Sequence, residues 1–280
     1  MVKSFGGHPL WRIVVFMMGR LSAVAHVRAG RAALQWVADI VLPPRCIGCN
    51  EPVLGQVQVC AVCWARLQFI DAPLCAVSGL PFPFDPGAGA LSAEVLARMP
   101  AYGRARAALV YDAASGRLIS RLKYGDRLDA VPVFARWMVR AGADLLADAD
   151  LVTPVPLHGS RLFQRRFNQS AVLAQQIARR AGRVFVPDLL RRIRATRAQV
   201  GLTAAARRRN VAGAFILTPG QGHLVEGAHV LLVDDVLTTG ATAEACAKKL
   251  IAEGAVSVDI LTLARVVPGE ETPISSPHVE

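Results

Sequence analysis

The stretch 230–242, VLLVDDVLTTGAT, places two adjacent carboxylates, Asp234 and Asp235, between four aliphatic residues and a turn built from hydroxyls and small side chains. Neighbouring acids repel. Their pairing calls for a ligand with hydroxyls that the carboxylates can accept from, and for a divalent cation that offsets their charge. The residues that follow, Thr238, Thr239, Gly240, Ala241 and Thr242, suit an anion. Small side chains let the backbone approach phosphate oxygens, and Thr hydroxyls donate without bulk. A helix starting there adds unbonded N–H groups at its positive end. A ribose 5-phosphate meets both demands, with its phosphate in the Thr-Gly turn and its 2- and 3-hydroxyls toward the aspartates. The competing reading is a buried strand ending in an Asp helix cap, which needs one acid and no TTGAT run.

A second group of residues could hold a metal. CIGC at 46–49 and CAVC at 60–63 form two CxxC knuckles, with Gly48 and Gly55 permitting the turns. Two-residue spacing lets both thiolates of a knuckle reach one ion, so Cys46, Cys49, Cys60 and Cys63 predict a tetrahedral structural Zn²⁺. Redox dithiols and a metal-free remnant are the alternatives. With all four positions Cys, no coordination site stays open for catalysis. Cys246 falls on the apolar face of the helix after the aspartates and reads as a plain buried thiol.

The elements that must position these residues follow from periodicity and punctuation. HVLLVDD (229–235) is an unbroken aliphatic run of the kind found in a parallel sheet covered on both faces. RAALVY (106–111), LVTPVPL (151–157) and VSVDILTLA (256–264) read as further strands. Helices are expected near 130–146, at 170–180 before Gly182, and from 242 to Gly254, with an Arg-rich loop after 157. This alternation predicts an α/β fold, a doubly wound parallel sheet with a small N-terminal zinc ribbon, and ligands at the carboxyl ends of the strands. Residues 1–42 read as an amphipathic or disordered extension, 43–90 as zinc ribbon and Pro/Gly-rich connector, 101–267 as the α/β domain and 268–280 as a disordered tail. No internal repeat is visible.

The chain has 280 residues, 53% of them hydrophobic, which is enough for one α/β domain and a smaller appendage. Its net charge of +11 comes from Arg clusters at 161–166 and 191–197, so a phosphate or nucleic-acid partner competes with a reading of solvated Arg-rich helix faces. Four of the six cysteines lie within eighteen residues, unlike a disulfide framework, and a reducing cytoplasm fits best. The apolar run Ile13 to Met18 is too short to span a bilayer, so no integral membrane association is expected, with peripheral contact the weaker alternative.

The stretch 230–242 resembles the phosphoribosyl pyrophosphate (PRPP) signature of type I phosphoribosyltransferases. The resemblance implies that Asp234 and Asp235 hold the ribose hydroxyls and that Thr238 to Thr242 hold the 5-phosphate. Thr238 stands where purine-salvage members carry an acid proposed as general base. PVPLHGSRLFQRRFNQS (154–170) resembles the Arg-x-x-x-Arg-Gly-Phe-Asn-Gln run of the ComF family, matched at Arg161, Arg165, Phe167, Asn168 and Gln169, with Arg166 replacing the glycine. Arg161 and Arg165 would face a pyrophosphate leaving group, against the alternative of solvated Arg at a helix start.

TRAQVGLTAAARRRNVAGAF (196–215) resembles the family's flexible loop at Gln199, Gly201, Leu202, Thr203, Arg207 and Asn210, with Ala206 in place of the usual acid. Such a loop closes over the reacting centre, which gives Gln199 and Arg207 catalytic roles by resemblance; a nucleic-acid contact is the other reading. LKYGDR (122–127) matches a Lys-aromatic-x-Gly element, making Lys123 a candidate phosphate ligand. Further knuckles often follow in the family, but CAVSGLP (75–81) keeps Cys75 and has Ser78 at the next ligand position, so a second zinc site reads as lost.

With these elements in family order over roughly 40–267, the chain resembles a ComF-like member of the phosphoribosyltransferase superfamily. The resemblance implies an enzyme that binds PRPP with Mg²⁺ and transfers ribosyl phosphate to an unidentified acceptor, linked to natural transformation and DNA uptake. Two alternatives stay open. One is a non-catalytic accessory that binds single-stranded DNA or DNA-uptake proteins, and the other is a regulator that senses PRPP without turnover.

Overall fold

The aliphatic run before the aspartates is paired on both sides. In the computed structural model, β1 (Ala105–Val110), β2 (Leu151–Pro154), β3 (Val184–Phe185), β6 (His229–Leu237) and β7 (Ser257–Arg265) form one sheet of order β1-β7-β6-β2-β3. Every pairing in it is parallel. The described residues are 44–53, 58–124, 127–195 and 204–269, and by its contacts the chain divides into two units, 1–60 and 61–280. The expected N-terminal extension, Gly55, Gly125, Asp126, Gln199, Gly201, Leu202, Thr203 and the tail from 270 lie outside the described residues.

Both faces of β6 are covered, which is why its sequence runs aliphatic without alternation. Val230 and Leu232 join a core with Val258 and Ile260 of β7 and with Cys246, Ala247 and Leu250 of α10 (Ala241–Ala252), so the Cys246 thiol is buried as expected. Leu231, Val233 and Leu261 are equally buried. Leu261 packs so closely on Gly142 that a Cβ there would come within 2.7 Å of its Cδ1. This close approach divides the single helix expected at 130–146 into α4 (Val131–Ala141) and α5 (Ala143–Asp148).

Three further differences concern the site. β6 runs to Leu237, two residues past the expected end, because Val236 and Leu237 pair with Ala264 and Arg265 of β7. The aspartates therefore lie among the last residues of the strand, with Val236 and Leu237 between them and the turn. The Arg-rich segment after β2 is not all loop: α6 (Gly159–Arg165) precedes α7 (Gln169–Ala181). Part of the expected flexible loop is likewise helical, as α8 (Ala204–Val211), and it lies between two short antiparallel strands, β4 (Leu190–Arg192) and β5 (Phe215–Leu217).

The cysteine-rich region contains a repeat of which the sequence shows only the first knuckle, at Cys75 and Ser78. Around the first knuckle, Cys46 N–H donates to Glu51 O, Asn50 N–H to Cys46 O and Ile47 N–H to Gln58 O, and Asn50 has φ 70°. Around Cys75, the same bonds join Cys75 N–H to Leu80 O, Gly79 N–H to Cys75 O and Ala76 N–H to Ala90 O, and Gly79 has φ 66°. Short helices follow in register, α1 (Ala61–Trp64) and α2 (Ala93–Ala97). The equivalents of Cys46, Cys49, Cys60 and Cys63 are thus Cys75, Ser78, Ser92 and Val95, and the Pro/Gly-rich stretch at 75–89 is the body of this second half.

Candidate functional site

The aspartates escape mutual repulsion by finding separate partners. Asp234 Oδ1 accepts from the Ser170 hydroxyl and from the Asp235 N–H, both at 2.9 Å. Lys123 Nζ lies 2.8 Å from Asp235 Oδ2. Burial and the charge of Asp235 raise Asp234 to about 7, against the hydrogen bonds from Asp235 N–H and Ser170 and the charge of Lys123. Burial alone depresses the Lys123 ammonium, but the charge and hydrogen bond of Asp235 outweigh it and hold Lys123 above its ordinary value. Two like charges on adjacent residues are tolerable only with such neutralisation.

Ser170 reaches Asp234 because α7 begins beside it. Asn168 caps that helix, its side chain accepting from Ser170 N–H at 3.1 Å and donating to Val155 O at 3.0 Å, which ties the helix start to the end of β2. Arg165 donates to Tyr124 Oη at 3.1 Å and Gln169 Oε1 at 3.3 Å, and its guanidinium lies 5.2 Å from the Tyr124 ring centroid. Tyr124 ends α3 (Ala113–Tyr124) next to Lys123, which pairs with Asp235, and Arg165 links Tyr124 to Gln169, the neighbour of the Ser170 that bonds Asp234. Three motifs separated in sequence, KY, RFNQS and DD, thereby meet.

Arg161 lies close enough to Arg192 of β4 to help burial lower that guanidinium, so two cations converge beside the turn after β2. Arg166 adopts φ 65°, the left-handed conformation that explains the glycine at this position in the pattern it resembles. After β6, Gly240 takes φ 72° and α10 begins at Ala241. The Thr239 hydroxyl oxygen is buried and has no hydrogen-bond partner among the described residues. An orphaned hydroxyl, a left-handed glycine and a helix N-terminus fit a phosphate, and the partly buried acids fit a cation shared with sugar hydroxyls.

In the cysteine cluster the four Sγ atoms all lie within 4.8 Å of one another, and Cys49 Sγ is 3.7 Å from Cys60 Sγ. The edge of a tetrahedron with Zn–S bonds of about 2.3 Å is ~3.8 Å, so the donor set fits zinc. Burial pushes the Cys46 thiol up, but N–H groups of Cys60, Cys49 and Gly48 outweigh it and bring it down to about 6, toward the thiolate a metal requires. All six cysteines are free.

Comparison with known proteins agrees with this division. Residues 37–95 match the Double zinc ribbon domain family, and residues 168–277 match the Phosphoribosyl transferase domain family. The chain is 32% identical over 237 residues to the DNA utilization protein YhgH of Salmonella typhimurium, which covers 81% of this chain and all of that one. The chain belongs to the ComF family. A second relative, Competence protein F of Haemophilus influenzae, is 32% identical over 153 residues, covering 53% of this chain and 66% of its own. Among solved structures, the glutamine PRPP amidotransferase of B. subtilis complexed with ADP and GMP is similar at 20% identity and TM-score 0.35, over 51% of this chain and 30% of that one. The architecture is a type I phosphoribosyltransferase fold with an N-terminal zinc ribbon.

In this ComF-family chain the structure joins Asp234, Asp235, Lys123 and Arg165 into one cluster at the end of β6, with Thr238 to Thr242 directly following. Lys123, expected at a phosphate, is engaged with Asp235 instead. Arg207 lies in α8, and Gln199 is outside the described residues. Sequence reasoning missed Ser170, Tyr124 and Arg192. Ser170 was the most accessible of these, since an Asn-x-Ser helix start beside a strand end is a visible capping pattern; Tyr124 and Arg192 acquire their roles only through packing. Among the described residues no helix is long and apolar enough to cross a membrane.

Proposed function

We propose that this protein binds PRPP with Mg²⁺ and transfers its 5-phosphoribosyl group to a nucleophilic acceptor, releasing pyrophosphate. The observation that carries this reading is the meeting of Lys123, Arg165 and Ser170 with the acid pair just before a turn that holds a buried hydroxyl with no partner among the described residues. Asp234 and Asp235 would hold the ribose 2- and 3-hydroxyls and share Mg²⁺, which supplies positive charge for the pyrophosphate oxygens when bound. Thr238 to Thr242 would seat the 5-phosphate. Arg161, Arg165 and Arg192 place fixed positive charge where the leaving group gains negative charge, and such preorganised charge accelerates group transfer. Gln199 and Arg207 belong to the segment that would close over the reacting centre. Reduced cysteines and the fit to zinc favour a cytoplasmic setting.

A thermal-shift titration tests this directly. PRPP with Mg²⁺ is expected to raise the melting temperature of the wild type and leave the double variant Asp234→Asn/Asp235→Asn unmoved; a flat wild-type curve would sink the reading. Turnover adds a second readout, pyrophosphate released in the presence of an accepted nucleophile. The raised Asp234 provides an independent check. An acid whose folded value is raised contributes stability that is whole below the ordinary carboxylate value and is lost as pH rises through about 7. Asp234→Asn is therefore expected to raise the melting temperature at pH 8, by roughly 2–4 °C per kcal/mol relieved, and to change it less at pH 5.

A second reading rests on the relatives' names and the net charge of +11: an accessory that binds single-stranded DNA or DNA-uptake proteins. Its signature is DNA affinity that falls steeply with salt and is indifferent to the aspartates. Saturable PRPP binding with no pyrophosphate release for any acceptor would instead mark a sensor of PRPP.

A further inference from the structure

The acid pair brings its own cation. Lys123 Nζ lies 2.8 Å from Asp235 Oδ2, with the lysine side chain 21% exposed and the aspartate side chain 14% exposed. Among the described residues no other Lys, Arg or His stands within ion-pair distance of either aspartate. Asp234 is served by neutral donors, the Ser170 hydroxyl and the Asp235 N–H. Lys123 therefore occupies the place for which a divalent cation shared by the two acids must compete.

The two cations exclude one another. Removing a cation from a largely buried carboxylate leaves that charge uncompensated, so Lys123 gives up Asp235 only when another cation replaces it. A divalent cation arriving alone meets the repulsion of the ammonium at close range, where little water screens it. Arg165 adds to this, being near enough for its charge to act against that of Lys123. An anion that enters with the metal removes both obstacles, because it lowers the incoming charge and gives Lys123 and Arg165 a partner in place of Asp235. Mg²⁺ suits such an exchange, since it is ordinarily held by one or two carboxylates together with the ligand's phosphates rather than by protein alone. The fold permits it as well. Lys123 is the last residue but one of α3; Leu122 before it is fully buried and anchors the helix, whereas Tyr124 after it is 58% exposed. A change of partner at the ammonium leaves the buried face of Leu118, Ile119 and Leu122 in place.

We infer that Lys123 is a specificity-determining residue, which keeps free divalent cations off the acid pair and admits the metal only together with a polyphosphate. The inference rests on the proposed reading of Asp234 and Asp235 as a metal and sugar site. It narrows that site's ligand to a metal–polyphosphate complex and sets an order of events in which free metal does not bind first.

Equilibrium dialysis of the full-length protein tests this, with Mg²⁺ alone and Mg²⁺ with pyrophosphate as the probes and protein-bound Mg²⁺ as the readout. The wild type is expected to hold Mg²⁺ at least about tenfold more tightly when pyrophosphate is present. Lys123→Met, similar in length and uncharged, is expected to bind Mg²⁺ alone about tenfold or more tightly than the wild type, and Lys123→Arg to behave as the wild type. A merely structural loss would weaken metal binding rather than strengthen it. Adding Asp235→Asn to Lys123→Met is expected to erase the gain, which ties it to the acid pair. Should Lys123→Met fail to fold, the wild-type comparison with and without pyrophosphate still decides. A wild type that binds Mg²⁺ equally well alone, or a Lys123→Met variant with unchanged affinity for Mg²⁺ alone, overturns the inference. Either result beside an intact thermal shift with PRPP removes this role of Lys123 and leaves the ribosyl-transfer reading standing. Tighter Mg²⁺ binding by Lys123→Met beside a wild type that ignores PRPP does the reverse.

Discussion

In the first half of the ribbon Cys46 Sγ accepts N–H bonds from Gly48 and Cys60, each at 3.3 Å; in the second, Cys75 Sγ accepts from Ser78 and Ser92 at 3.4 and 3.2 Å. The backbone plan is the same, and what fills the centre is not. Four thiols converge in the first half, with Cys49 exposed. In the second half, Ser78 Oγ and Ser92 Oγ lie 3.4 Å apart, and Val95, 3% exposed, packs with Cys75 and Leu80. Both halves bury apolar side chains, Ile47, Val53 and Val59 in the first and Leu80 and Val95 in the second, but the first gathers four thiols at metal-binding distance where the second has a hydroxyl pair. The comparison teaches that one ribbon backbone can be centred on a set of metal-ligating thiols or on apolar and hydroxyl side chains.

The largest expected effect separates the halves outright. Structural zinc in such ligand sets contributes an apparent ~10–16 kcal/mol at pH 7, so Cys46→Ser/Cys49→Ser is expected to empty the site. Metal analysis should fall from one zinc per chain to none, and hydrogen exchange should rise across 44–53 while 74–97 stays protected. Loss of protection in both halves alike would show that the second half depends on the metal of the first.

Restoring the missing ligands tests the same contrast from the other side. Ser78→Cys/Ser92→Cys/Val95→Cys places four thiols on the conserved backbone plan and is expected to bring zinc to two equivalents per chain. An unchanged count of one would mean that the second half has relaxed away from ligand geometry.

The smallest effect concerns pH. Burial pushes the Cys75 thiol up, and hydrogen bonds from Ser78 and Ser92 more than reverse that, bringing it to about 7 from 9.0. A group whose folded value is depressed contributes stability that is present above its unfolded value and lost as pH falls through the folded one. Stability toward denaturant should therefore rise between pH 7 and pH 9, by on the order of 2 kcal/mol, and Cys75→Ala should flatten that slope.

How much of this was legible in the chain differs between regions for physical reasons. VLLVDDVLTTGAT carries its strand, its acids and its turn in consecutive residues, so local chemistry alone marks a phosphate and hydroxyl site. The CxxC knuckles are as direct, because ligand spacing is fixed by the reach of two thiolates to one ion. The second half of the ribbon was half visible: Cys75 and Ser78 mark its first knuckle, but SAEV at 92–95 contains no cysteine, and only the repeated backbone bonds locate it. The extension of β6 to Leu237 and the division of a helix at Gly142 depend on pairing with β7 and on packing against Leu261, neither of which leaves a local pattern.

The sequence by itself determined the parallel strand order of chemistry: acids before hydroxyls before a helix, and thiols at metal spacing. These are short-range facts, set by neighbouring residues and backbone geometry. Tertiary structure alone decided that Lys123 neutralises Asp235, that Ser170 serves Asp234, and that Arg265 of β7 faces the Thr238–Gly240 turn across a cavity roofed by 78–98. Residues up to 187 positions apart become neighbours there, as Ser78 and Arg265 do, and no local pattern encodes which buried charge meets which partner, because that is settled by how the layers pack.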